Sequence, residues 1–375
     1  MNNKDILRIL VVDDTAIYRK IVSDTLSGLP DVEVVGIAQN GKIALSRIPV
    51  LKPDLLILDI EMPEMNGLDL LANIKEKGLG VEAIMLSTLT HEGSQMTMKA
   101  FELGAFDFIP KPQKKTQAEN IKAIKDALYP ILKAYKRRKE VKDLLNVNNS
   151  FQKNRVTPKD KENPSYGISA IKSASRIKAK SEIVAIGIST GGPRALAQML
   201  PMLPEDINIP ILIVQHMPPM FTKSLATSLD PKCKIKVKEA VDGQALENNI
   251  ALIAPGGKQM KIVAGVDGKT RIVRITNDPP ENNCRPSADY LFRSVAHYYI
   301  GRSTGVIMTG MGRDGSRGLE LMKKNGSTII AQDEATCTVY GMPREVINNG
   351  IADIVVPLDR IADKICRTIK GTSKN

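Results

Sequence analysis

The chain has 375 residues, 42% of them hydrophobic and 25% charged, the proportions of an ordinary globular protein long enough for two cores. No apolar run approaches the ~20 residues that cross a bilayer, so an integral membrane protein is excluded, and the start Met1-Asn2-Asn3-Lys4-Asp5 lacks the shape of a signal peptide. The net charge of +12 hints at nucleic acid, but residues 133–180 hold 14 Lys or Arg against 4 Asp or Glu, so nearly all the excess lies in one segment. That segment is rich in Asn, Ser and Lys and carries Pro158 and Pro164. It reads as a linker, and nucleic acid is not an expected partner. Cys233, Cys284, Cys337 and Cys366 are scattered, the pattern of reduced thiols in a cytoplasmic protein, with no metal site among them.

Before the linker, strands alternate with helices. Apolar runs predict strands over 6–12, 33–37, 55–58, 83–86 and 105–109. Helices are expected over 15–27 and near 41–48, 66–77, 92–103 and 115–138. This alternation implies a flavodoxin-like, doubly wound parallel sheet in a domain of residues 1–135. Asp13 and Asp14 end the first strand and Asp59 ends the third. Three converging carboxylates repel one another unless a cation neutralises them, and an all-oxygen set suits Mg²⁺. Ser87 and Lys111, past the fourth and fifth strands, could hold a phosphoryl group on Asp59. The Lys111–Pro112 bond is a candidate cis peptide that would aim the lysine. Any one of these aspartates alone fits a helix cap.

With Val11-Val12-Asp13-Asp14, Leu58-Asp59-Ile60-Glu61-Met62-Pro63, Leu86-Ser87-Thr88 and Lys111-Pro112 in place, the first ~130 residues resemble a response-regulator receiver domain. The resemblance implies phosphorylation of Asp59 by a chemotaxis histidine kinase. It implies Mg²⁺ held by Asp13, Asp14, Asp59 and the backbone carbonyl of Glu61. It also makes Ser87 and Phe108 a switch pair beside Lys111.

After the linker (136–180), strands are expected over 183–188, 209–215, 235–237, 251–254, 305–308, 328–331 and 354–356. Helices are expected over 193–200, 287–299 and 316–324. Two alternating runs flank Asp267-Gly268, a hairpin signal. A second, Rossmann-like parallel sheet with a β-hairpin insertion follows, over residues 181–375. Gly187-Ile188-Ser189-Thr190-Gly191 fits G-x-S-x-G, but the order Ser189, His216, Asp314 differs from the Ser, acid, His order of α/β-hydrolases.

A serine needs a base to accept its proton. Of three histidines, His91 lies in the first domain and His297 sits mid-helix, where packing is expected. His216 is therefore the candidate base, with Asp314 orienting it. Thr190 and the backbone amides around Met311 and Gly312 are candidates for the oxyanion hole. Singly, each has a plainer role: His216 as a buried structural residue, Asp314 as a helix cap, Gly191-Gly192 as a phosphate-binding turn.

The segments Gly187–Pro193, Gln215-His216-Met217-Pro218, Ala254-Pro255-Gly256-Gly257, Arg285-Pro286-Ser287-Ala288-Asp289 and Thr309–Gly315 are similar to those of the chemotaxis methylesterases. Ile188 stands where that family often has Ala. The resemblance implies a monomeric cytoplasmic serine hydrolase, restrained by its receiver. Its substrates would be glutamate γ-methyl esters, and certain glutamines, on methylated chemoreceptors. The competing readings are a response regulator whose output domain binds a partner or DNA without catalysis, and a hydrolase acting on some other protein.

Overall fold

The computed structural model describes residues 6–113, 115–152 and 179–370. The first unit holds strands β1 (Leu7–Val12), β2 (Val32–Ala38), β3 (Leu55–Asp59), β4 (Glu82–Ser87) and β5 (Asp107–Pro110). Its helices are α1 (Ala16–Ser27), α2 (Gly41–Leu51), α3 (Gly67–Glu76), α4 (His91–Leu103) and α5 (Gln117–Gln152). The strands pair in parallel in the order β2-β1-β3-β4-β5. Every residue of β3 is buried, as a strand covered by helices on both faces requires. Asn40, Asn66 and Thr90 cap α2, α3 and α4 with side-chain oxygens. The order reverses between β1 and β3, and Asp13 and Asp59 lie at that switch point. Helix α5 continues past residue 136, the expected start of the linker, and residues 153–178 of that linker lie outside the described residues.

The second unit carries a seven-stranded, wholly parallel sheet. Its strands are β6 (Ile183–Ile188), β7 (Ile211–Gln215), β8 (Lys236–Glu239), β9 (Ile250–Ile253), β12 (Ser303–Ile307), β13 (Thr328–Gln332) and β14 (Ile354–Val356). They run in the order β14-β13-β12-β6-β7-β9-β8. The expected hairpin is a separate antiparallel pair, β10 (Gln259–Ala264) and β11 (Arg271–Thr276). Helices α6 (Gly192–Met199), α8 (Ala288–Tyr298) and α9 (Ser316–Lys324) fall where the sequence places them. Three others were not expected: α7 (Phe221–Leu229), α10 (Met342–Asn348) and α11 (Leu358–Lys370). Here the order reverses between β6 and β12. The loops after β6, β7 and β12 carry Ser189, His216 and Asp314.

The two units meet through α4 and β5 on one side and α7 on the other. One buried apolar cluster runs through both, taking in Phe101, Phe108, Phe221 and Leu225. The Phe101 ring meets that of Phe108 edge-on at 6.0 Å. Ser94 Oγ and Ser224 Oγ share a buried hydrogen bond of 2.7 Å. Glu102 accepts from Ser228 Oγ at 3.2 Å and pairs with Lys232.

Candidate active site

Ser189 leaves β6 in a tight turn closed by Gly192 N–H donating to Ser189 O (2.7 Å), with Gly191 at φ 77°. A side chain at Gly191 would be strained there. The Ser189 N–H is bound to Thr309 O (3.0 Å), and Gln215 Nε2 donates to Ser189 O (3.0 Å). The backbone at Ser189 is thus tied to both neighbouring strands. Gly310 packs so close that a Cβ there would stand 2.8 Å from Ser189 Cβ. This brings the loop after β12 onto the serine. The Met311 amide in that loop has no hydrogen-bond acceptor among the described residues.

His216 and Asp314 are in contact, with Nε2 2.8 Å from Oδ2. Asp314 is buried and saturated with donors. Ser287 Oγ (2.7 Å) and Asn282 Nδ2 (2.9 Å) donate to Oδ1, and the Ala288 N–H donates to Oδ2 (2.6 Å). Burial pushes its carboxyl up, but His216, Ser287 and Asn282 outweigh burial and hold it down at about 2. Burial likewise pushes the His216 imidazole down, while Asp314 and then Cys284 pull it up to about 10. The other ring nitrogen, Nδ1, faces Cys284 Sγ at 3.6 Å. Asp314 thus binds the imidazole and also accepts from the Ala288 and Asp289 N–H groups at the start of α8, while the cap position of the helix that follows it, α9, is Gly315. His297 is exposed in the last turn of α8, not packed as the sequence reading expects.

The receiver-like unit covers this site. Phe101, Asp107, Phe108, Pro110 and Ile131 close a cavity of about 170 Å³ over Ser189, Thr190, His216 and Met217. The Asp107 carboxylate accepts from Phe108 N–H (2.8 Å) and is hydrogen-bonded to Thr190. Burial pushes Asp107 up to about 6, against those two bonds.

In the acidic pocket, Lys111 Nζ lies 2.9 Å from Asp13 Oδ2 and 2.7 Å from Asp59 Oδ2. Asp13, Asp14 and Asp59 present oxygens within 4.8 Å of one another. Burial pushes Asp59 up to about 6, opposed chiefly by Lys111. The Lys111–Pro112 bond is trans, contrary to the sequence expectation: the one cis peptide among the described residues is Arg285–Pro286. Two ion pairs aim the ammonium without it. Ser87 Oγ donates to Gly93 O (3.1 Å) and accepts from Thr97 Oγ1 (2.9 Å), both on α4. The exposed Glu61 lies just past β3.

Residues 184–365 match the family model for the CheB methylesterase, and residues 9–123 match that for the response regulator receiver domain. Over 368 residues the chain is 57% identical to a protein-glutamate methylesterase/protein-glutamine glutaminase of Desulfotalea psychrophila, covering 97% of this chain and 99% of that one. The chain belongs to the protein-glutamate methylesterase/protein-glutamine glutaminase family. A member from Trichodesmium erythraeum is 41% identical over 96% of this chain and 99% of its own length. The crystal structure of the Thermotoga maritima CheB methylesterase catalytic domain is 41% identical, covering 50% of this chain and 98% of that one, with a TM-score of 0.48.

Within this methylesterase chain, sequence reasoning missed Asn282, Cys284 and Ser287, which surround the His216–Asp314 pair. Only Ser287 gave a signal, as the helix cap ahead of α8. Its hydroxyl accepts from Tyr290 N–H and also donates to Asp314.

Proposed function

We propose that this chain is a phosphorylation-activated serine hydrolase that removes γ-methyl esters from glutamates on chemoreceptor cytoplasmic helices, and deamidates certain glutamines there. The observation that carries the reading is the His216–Asp314 pair, whose histidine lines one cavity with Ser189 at the sheet's switch point, beneath a receiver domain. Ser189 Oγ attacks the ester carbonyl. His216 Nδ1, the nitrogen that Asp314 does not hold, takes the hydroxyl proton and delivers it to the leaving methoxide. The developing oxyanion takes the free Met311 amide, with Thr190 supporting the turn. Methanol departs, and water, deprotonated by His216, splits the acyl-enzyme to give a glutamate carboxylate and restore Ser189. An amide substrate follows the same course and releases ammonia.

The receiver supplies control. A chemotaxis histidine kinase is the phosphodonor for Asp59. The carboxylates of Asp13, Asp14 and Asp59 form an all-oxygen set that fits Mg²⁺, to which the Glu61 carbonyl would add a further oxygen, and a bound ion would supply charge neutralisation at Asp59. Ser87 and Lys111 then bind phosphoryl oxygens. To do so, Ser87 must leave Gly93 on α4, the helix whose Ser94 holds Ser224 across the boundary. Phe108 turns with it, and the lid over Ser189 loosens. The enzyme would act from the cytoplasm; among the described residues no helix is long and apolar enough to cross a membrane.

Methanol release from methylated receptor membranes is the test. Ser189→Ala should lose it while keeping a native circular dichroism spectrum. Undiminished release by a folded Ser189→Ala chain would end this reading.

A further inference from the structure

We propose that Cys284 and His216 form a binding site for a soft divalent cation, Zn²⁺ being the probe of choice, and that occupancy silences the enzyme. The inhibitory half rests on the reading of His216 as the base; the binding half does not. Cys284 Sγ stands 3.6 Å from His216 Nδ1. A thiolate at roughly 2.3 Å and an imidazole at roughly 2.0 Å from one zinc ion, set at a tetrahedral angle, are separated by about 3.5 Å. The pair already has that spacing, so the ion needs little rearrangement to enter.

The imidazole is also presented the right way round. Asp314 takes Nε2 at 2.8 Å, which leaves the Nδ1 lone pair for the thiol side. A carboxylate on the far nitrogen is the usual companion of a metal-bound histidine, fixing its tautomer and raising its donor strength. The three residues together present a nitrogen, a sulfur and an oxygen within 4.8 Å. Both Asp314 oxygens are taken by N–H and O–H groups, so its part is to hold the ring rather than to ligate. The sulfur is steered in turn, lying 3.4 Å from the Asn282 carbonyl. Cys284 is half-buried, which leaves room for water in the remaining positions.

Sulfur and imidazole nitrogen favour Zn²⁺ over the Mg²⁺ suited to the carboxylates around Asp59. The thiol and the imidazolium each give up a proton to the solvent as the ion binds, and the ion takes the Nδ1 lone pair that would otherwise accept the Ser189 proton. Two protein ligands make the site reversible, unlike a closed four-ligand structural site. The sequence alone does not reveal it, because the two ligands lie 68 residues apart.

The test titrates the full-length chain with Co²⁺ and then measures methanol release in the presence of Zn²⁺. The native chain should show a thiolate-to-cobalt charge-transfer band that Cys284→Ser abolishes. Asp314→Asn should weaken Co²⁺ binding roughly 10- to 100-fold. Zn²⁺ should suppress methanol release by the native chain, whereas the rate of Cys284→Ser should be the same with and without Zn²⁺. Absence of the band, or its persistence in Cys284→Ser, overturns the site. A Cys284-dependent band without loss of activity would keep the site and remove His216 as the base.

Discussion

The ring of Phe108 lies stacked on that of Phe221, centroids 4.5 Å apart and planes inclined by 25°. One lies in β5 of the receiver, the other begins α7, the first helix after His216. An aromatic pair of this kind contributes about 0.5–1.5 kcal/mol beyond its buried area. Truncating either ring should therefore favour the open form roughly 2- to 12-fold. Phe108→Ala and Phe221→Ala should each raise methanol release without a phosphodonor, and combining them should add less than the product of the two. Basal rates equal to the parent's would show that the stack does not restrain the enzyme.

A pH profile follows from His216. Asp314 and Cys284 raise its imidazole to about 10 despite burial, so at neutral pH only a small fraction of the rings is neutral and able to accept a proton from Ser189. The rate kcat/KM should climb with pH from 7 to 9 and level off only beyond. Asp314→Asn, with the carboxylate's charge gone, should move the rise to lower pH while cutting the plateau. The same ion pair acts on stability in the opposite direction. It is fully present below the unfolded pKa of about 6.5 and is lost as pH rises through about 10. A flat kinetic profile between pH 7 and 9 would contradict this.

Gly192 offers a steric test of the Ser189 turn. A Cβ there would sit 1.9 Å from Gln215 Oε1, on the side chain whose amide binds Ser189 O. Gly192→Ala must displace Gln215, with an overpacking penalty of about 1–3 kcal/mol. A fall in urea midpoint together with a lower kcat is expected. Unchanged kcat in a destabilised variant would mean that Gln215 does not help place the serine.

Removing divalent cations should separate the two centres. EDTA should block acyl phosphate formation at Asp59 by a small phosphodonor and leave basal methanol release of the full-length chain intact. Phosphorylation that survives EDTA would argue that Lys111 alone neutralises the pocket.

Much of the fold is written locally. Parallel strands such as Leu55–Asp59 are continuous apolar runs because helices cover both faces. Polar residues at the ends of these runs and in the turns that follow stand out against them, which made Asp59, Ser189 and His216 legible. Helix α11 was legible too and was overlooked: Leu358, Ile361, Ala362, Ile365 and Ile369 mark one face at helical spacing. Helix α7 gave less to read, since its buried Thr222 and Ser224 look like surface residues. They are polar because Thr222 Oγ1 bonds Glu239 and the Gly256 amide, and Ser224 bonds Ser94. The surroundings of His216 were illegible for a different reason. Cys284 reaches it, and Asn282 reaches its partner Asp314, through a loop whose course depends on the whole sheet, and no spacing along the chain records that approach.

The unbroken oily seam between the units has a further consequence. On the proposed mechanism, opening the lid would wet Phe101, Phe108, Phe221 and Leu225 together. The switched-on molecule would then wear a greasy flank that its dormant counterpart conceals, and would be the stickier of the two. Whatever held it open would have to offset that wetting for as long as it worked, so loss of the phosphoryl group would favour closure.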